Sequence, residues 1–221
     1  MKKRLIQTYS EYGRFSKRQK MTDTLRFYGI RNPEVLSAFQ AIPRHLFVPE
    51  EYDDKAYADT PLPIGYGQTI SQPYVVAFML EHMDLKPGSK VLEIGSGCGY
   101  VTALLSRLVF NVIGVELEKA LADRSRRLLQ ELKINNVRIV CDDGYKGFAP
   151  SAPYDSILVS AAPPTVPKAL TEQLKENGSL IIPVGKESQM LKKIQKKNGK
   201  IIENDLLDVR FVPLRPSNHI V

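Results

Sequence analysis

The sequence predicts an α/β fold: a doubly wound sheet of five parallel strands, closed by an antiparallel C-terminal hairpin and preceded by an N-terminal helical lead-in. Three observations predict it. From Lys90 onward, short apolar runs alternate with stretches of helical period, the order a parallel sheet with right-handed crossovers requires. A glycine-rich stretch, Gly95 to Gly99, falls where the first of these runs turns into a helix. Asn198 and Gly199 separate two strand-like runs near the end, and Asn-Gly is the preferred two-residue hairpin turn.

Residues 1–20 hold seven Lys or Arg and one Glu, a net +6, and read as a solvated, flexible basic arm. A targeting-like segment and a start at Met21 are the alternatives. Residues 21–221 read as one domain. Its first part, residues 21–89, is a helical lead-in with a long loop. Thr22 is placed to cap a short helix that ends at Gly29, and Asn32 with Pro33 gives a second helix its cap and first residue, before Pro43. Residues 49–70 are rich in Pro, Gly, Asp and Tyr, have no sustained period, and read as a long ordered loop. Tyr74 to Met83 reads as a mostly buried helix.

Residues 90–185 carry the alternation. The strands are KVLEI, NVIGVE, VRIVC, DSILVSA and SLIIPVG. The helices are YVTALLSRLV, Leu117 to Lys133, and Pro167 to Glu176, the last stopped by Asn177 and Gly178. Residues 186–221 supply the hairpin, the segment RFVPL read as part of its strand, and a tail.

Composition removes several classes of function. A chain of 221 residues with 43% hydrophobic and 25% charged residues buries a full core and is neither disordered nor low in complexity. The net charge of +7 belongs to the first 20 residues; the rest holds 24 basic and 23 acidic groups, against a nucleic-acid-binding face. The longest strictly apolar run, Val75 to Leu80, is too short to span a membrane. Two cysteines, Cys98 and Cys141, fit a reducing, cytoplasmic compartment.

Four motifs carry chemistry. In VLEIGSGCGY, Gly95, Gly97 and Gly99 let the backbone turn sharply and approach a ligand, but their spacing is not the pyrophosphate fingerprint G-x-G-x-x-G. Glu116, at the end of the next strand, is placed to accept from two adjacent ribose hydroxyls; alone, it reads as a solvated strand end. Asp143 and Gly144 follow the third strand. They are suited to a purine's amino group and ring nitrogen, or to a plain turn. Together these loops favour S-adenosyl-L-methionine over a nicotinamide dinucleotide. The fourth motif is TPLPIGYGQTISQPYVV, Thr60 to Val76.

With PRHLFVPE before it and LEIGSGCGY, SAAPP and RFVPL after it, that block resembles the protein-L-isoaspartate O-methyltransferase family over residues 21–214. The resemblance implies a class I methyltransferase fold, S-adenosyl-L-methionine as donor, and L-isoaspartyl residues of damaged proteins as acceptors. It further implies an ester that closes to a succinimide. It places Ser71 at the family's active-site serine and Gly95, Ser96, Gly97 and Gly99 on its cofactor loop. Glu116 and Leu117 then fall at the ribose, Asp143 and Gly144 at the adenine, and Ile70 and Val212 beside the peptide. No metal site and a monomer are expected.

An acceptor carboxylate has a pKa of about 3.5 to 4, so at neutral pH it is already the nucleophile and needs no general base. His45, His82 and His219 stand in no triad or metal-ligand spacing and read as surface or packing residues. Ser71 is therefore assigned to aim the carboxylate rather than to attack; the alternative is an N-cap for the helix containing Pro73. An adenine-amino methylase would carry an acid or Asn, two prolines and an aromatic after the fourth strand, where this chain has Ala162, Pro163, Pro164 and Thr165.

Overall fold

The computed structural model describes the backbone of residues 2–217 and the side chains of residues 13–217. His219 lies outside the described residues. Five strands run parallel in the order β5 (Val137–Cys141), β4 (Asn111–Glu116), β3 (Lys90–Ile94), β6 (Tyr154–Val159), β7 (Leu174–Gly185). The antiparallel pair β8 (Gln189–Lys197) and β9 (Lys200–Val209) completes a seven-stranded sheet. Asn198 (φ 52°) and Gly199 (φ 70°) form the left-handed turn the sequence predicts between β8 and β9.

Strand residues alternate between two apolar layers. Val91, Val112, Leu158 and Ile181 face α1 (Lys2–Phe27), α2 (Pro33–Ala41), α3 (Pro73–Glu81), α4 (Tyr100–Ser106) and α5 (Lys119–Glu131). Leu92, Ile113, Ile157 and Leu180 face the other way. That second face is covered by α6 (Lys168–Glu172) and short 3-10 turns, so helices are unevenly divided. The strand order reverses direction beside β3, where open α/β sheets bind ligands beyond their carboxyl ends.

Several sequence expectations need correction. No helix begins at Thr22; α1 is already helical at Lys2, and Thr22 sits inside it. Its hydroxyl meets the Gln19 carbonyl at 2.8 Å and the Gln40 side chain at 3.1 Å, tying α1 to α2. Part of the predicted basic arm is held by ion pairs, Arg14–Asp53 at 3.1 Å and Lys17–Asp54 at 3.3 Å. The end at Gly29 (φ 104°) is as read: Ile30 N–H donates to the Leu25 carbonyl and Gly29 N–H to that of Arg26, a Schellman motif. Asn32 caps α2, its side chain accepting from Glu34 and Val35 N–H.

The long loop is not featureless. It contains a 3-10 turn, Glu50–Lys55, and a small hairpin of β1 (Leu62–Gly65) and β2 (Gln68–Ile70). Gly65, Tyr66 and Gly67 all have positive φ at its tip. α6 is five residues long and does not reach Glu176, because Leu174 is drawn into the sheet opposite Tyr154 and is buried. The Gln173 carbonyl and side chain hold the Tyr154 and Phe148 N–H groups, fixing that early switch to strand. RFVPL is not a strand either: β9 ends at Val209, and the segment is fastened by an isolated bridge, Ala162 to Pro213, and by the Gln189 side chain, which accepts from the Phe211 N–H and donates to its carbonyl.

Candidate functional site

A cleft opens beyond the carboxyl ends of β3, β4 and β6. Its glycine loop is set by the strand beside it: Gly95 and Ser96 N–H donate to the Val115 carbonyl, at 2.8 and 3.1 Å. Gly97 (φ 53°) lines the cleft, and a Cβ there would stand 3.2 Å from Ile64 of the β1–β2 hairpin. At Gly144 a Cβ would meet Ile94 at 2.5 Å, so the adjoining loop can approach only without a side chain.

Glu116 joins the parts. One carboxylate oxygen accepts from Gly97 N–H at 2.8 Å and the other from Glu118 N–H at 2.9 Å. Burial pushes its pKa above the ordinary value, against the pull of those hydrogen bonds. Each oxygen keeps acceptor capacity toward the cleft, which suits two neighbouring hydroxyls. Burial also raises Asp143, but donation from Ser217 and Tyr145 outweighs it and holds the carboxyl below its usual value. Tyr145 N–H donates at 2.9 Å, and Ser217 donates through its N–H at 3.1 Å and its hydroxyl at 3.0 Å.

The structure divides the residues picked out from sequence. Gly95, Gly97, Glu116, Leu117, Gly144 and Val212 line the cleft. Ser96 is buried and sits over Gly114, its hydroxyl without a partner among the described residues. Gly99 opens α4 against Ser125 and Leu129 of α5. Asp143 is buried next to Gly144 and does not itself line the cleft, and Ile70 is buried in β2 and lines neither cavity.

Ser71 lies in a second, adjoining groove of about 440 Å³, together with Gln72, Val75, Arg210 and Phe211. Thr69, Ser160 and Val212 line both cavities and mark where they meet. Thr69 and Ser160 were not picked out as site residues from sequence, although both lie inside quoted motifs. Their signal was position two residues before Ser71 and at the end of the fourth parallel strand.

The capping alternative for Ser71 is not realised. Asp59 caps α3, accepting from Tyr74 N–H at 2.8 Å and from the Gln72 side chain at 2.8 Å. Among the described residues the Ser71 hydroxyl makes no hydrogen bond, and its carbonyl accepts from Arg44. His45 contacts the Tyr57 hydroxyl at 2.6 Å and His82 stacks on Phe78, away from both cavities. Among the described residues no group of His, Cys, Asp or Glu is arranged to hold a metal ion, and no helix is long and apolar enough to cross a membrane.

Beneath the glycine loop, Glu93 is fully buried; one oxygen accepts from the Thr102 hydroxyl at 2.5 Å and the other has no partner among the described residues. Burial pushes it up from 4.5 to about 7. The folded chain thus keeps a proton that the unfolded chain has released. Its stabilising effect is complete below the unfolded value and is lost as pH rises through about 7. Glu93→Gln is expected to abolish this loss, gaining about 3 kcal/mol on wild type between pH 4 and pH 8. Equal pH slopes in urea unfolding of the two proteins would contradict the assignment.

The glycine cradle, the buried carboxylate and the open groove together fit a nucleoside-bearing donor beside an extended acceptor. Residues 16–219 match the family model described as Protein-L-isoaspartate(D-aspartate) O-methyltransferase (PCMT). The chain is 47% identical over 203 residues to Protein-L-isoaspartate O-methyltransferase 2 of Archaeoglobus fulgidus, covering 90% of this chain and 93% of that protein. A solved protein-L-isoaspartate O-methyltransferase superposes with a TM-score of 0.85 at 33% identity, over 90% of this chain and 66% of the longer relative. A Plasmodium falciparum protein named as a beta-aspartate methyltransferase (PCMT), solved with S-adenosyl-L-homocysteine, gives a TM-score of 0.79 at 33% identity, over 89% and 97%.

Proposed function

The chain belongs to the protein-L-isoaspartate O-methyltransferase family, and from that premise we propose how its two cavities share the reaction. The enzyme transfers a methyl group from S-adenosyl-L-methionine to the free carboxylate of L-isoaspartyl residues in damaged proteins, which opens repair through a succinimide. The observation that carries the division of labour is the meeting of cleft and groove at Thr69, Ser160 and Val212.

The donor lies in the cleft, where it supplies an electrophilic methyl on a sulfonium. Gly95, Ser96, Gly97 and Gly99 form the close-approach loop, of which Gly95 and Gly97 line the wall. Glu116, with Leu117 beside it, accepts the ribose hydroxyls, and Asp143 with Gly144 borders the adenine. The acceptor lies in the groove, its backbone along Val212 and the main chain at Ile70, whose side chain is buried, and the Ser71 hydroxyl donates to its carboxylate. The carboxylate is already ionised, so no side chain has to take a proton. Alignment and exclusion of water from a step that neutralises charge are what the walls contribute.

The enzyme acts on proteins rather than nucleic acids or membranes, as a monomer in the cytoplasm; the near-neutral charge of residues 21–221 supports the first of these. The test is methyl transfer from labelled donor to matched isoaspartyl and aspartyl peptides, with RNA and DNA alongside. Label is expected on the isoaspartyl peptide alone. Equal labelling of both peptides, or label on nucleic acid, would overturn the reading.

A further inference from the structure

Arg44 opens the 3-10 turn Arg44–Phe47 and is fully buried. Among the described residues it forms no ion pair with a carboxylate; its partners are carbonyls. Nε donates to Ala56 at 2.8 Å, and one terminal nitrogen donates to Ser71 at 3.0 Å and approaches Thr60 at 3.4 Å. Among the described residues the other terminal nitrogen and the Tyr100 hydroxyl are buried with no third partner; Tyr100 is the polar side chain nearest the charge, and the guanidinium lies 5.1 Å over its ring. Asp59 attracts it from a distance, but that carboxylate is engaged by Gln72 and Tyr74.

An interior cation without a counter-ion costs several kcal/mol, whereas neutral donors can hold carbonyls without that penalty. Its position supplies the reason for a charge. Arg44 does not line the groove; it lies behind the wall, donating to the carbonyl of Ser71, the residue that does line the groove where an anion is to be received. Arg44 and Asp59 also hold the same turn, one at the Ser71 carbonyl and the other at the Gln72 side chain and the Tyr74 N–H.

We propose that Arg44 is a positioning residue for the acceptor: it clamps the Ser71 main chain and lends the groove the positive potential that selects a carboxylate. This rests on the reading that the isoaspartyl carboxylate binds beside Ser71.

The test compares an L-isoaspartyl peptide with the same peptide carrying an amide in place of the free carboxylate, both bound to full-length protein saturated with S-adenosylhomocysteine. Wild type is expected to prefer the acid by at least about tenfold, and Arg44→Met to lose about tenfold of that preference while donor-product affinity stays within about twofold. Arg44→Lys keeps the charge but not the planar fork, so the preference survives while kcat falls about tenfold. An unchanged preference in Arg44→Met, or full kcat in Arg44→Lys, overturns the proposal. If Arg44→Met does not fold, the Lys variant decides alone. Failure of the wild type to methylate the acid peptide strikes instead at the reading beneath it.

Discussion

Replacing Ser71 with alanine is expected to lower kcat/KM for an isoaspartyl peptide by about 100-fold while affinity for S-adenosylhomocysteine stays within about twofold. A hydrogen bond to a charged group contributes roughly 1.5 to 3 kcal/mol, and a poorly aimed carboxylate leaves the in-line approach to the methyl carbon. Folding has little stake in this hydroxyl. It makes no hydrogen bond among the described residues, and Asp59 already satisfies the start of α3. The melting temperature should therefore barely move. Parallel loss of donor-product affinity, or a drop in melting temperature of several degrees, would return Ser71 to a structural role.

The contrast between Ser71 and Thr22 shows what a sequence reveals. Both were legible as caps. Thr22 is followed by a helical period, but the same period runs on before it, so the helix had no reason to begin there. Ser71 precedes Pro73, a sound helix start, yet the cap came from Asp59, a residue 12 positions earlier that only the folded loop brings near. Local signals succeeded where the partner is local, as with Asn32 and Gly29. They failed where tertiary pairing decides, as when Leu174 leaves the helical pattern to face Tyr154.

The parallel sheet was legible because strands buried on both faces read as continuous apolar runs between helices. The β1–β2 hairpin was not, because its strands are three and four residues long and broken by Pro63 and the glycines at its tip. The glycine loop and carboxylate of the cleft were legible for a related reason. Glu116 ends β4 and Gly97 follows the end of the neighbouring β3 by three residues, so pairing of the two strands and the local glycine turn bring the Gly97 N–H to 2.8 Å from the carboxylate. The junction residues Thr69 and Ser160 come from a hairpin and a strand end whose nearness depends on how the long loop folds back.

Glu116→Gln is expected to weaken S-adenosylhomocysteine binding by about 30-fold, and this loss should depend on the ribose hydroxyls. In the wild type both carboxylate oxygens accept, one from Gly97 N–H and one from Glu118 N–H, with room left for two hydroxyls. An amide offers one accepting oxygen and turns an NH₂ group against a backbone N–H, so one of these donors and one hydroxyl lose their partner. The melting temperature alone cannot separate local damage to the glycine loop from loss of the ribose contact. A 2′-deoxy analogue of S-adenosylhomocysteine can. Wild type should bind it about tenfold more weakly than the parent, whereas Glu116→Gln should bind the two within about threefold, because the contact is already missing. Full discrimination retained by the variant would mean that Glu116 only braces the loop and that the hydroxyls are held elsewhere.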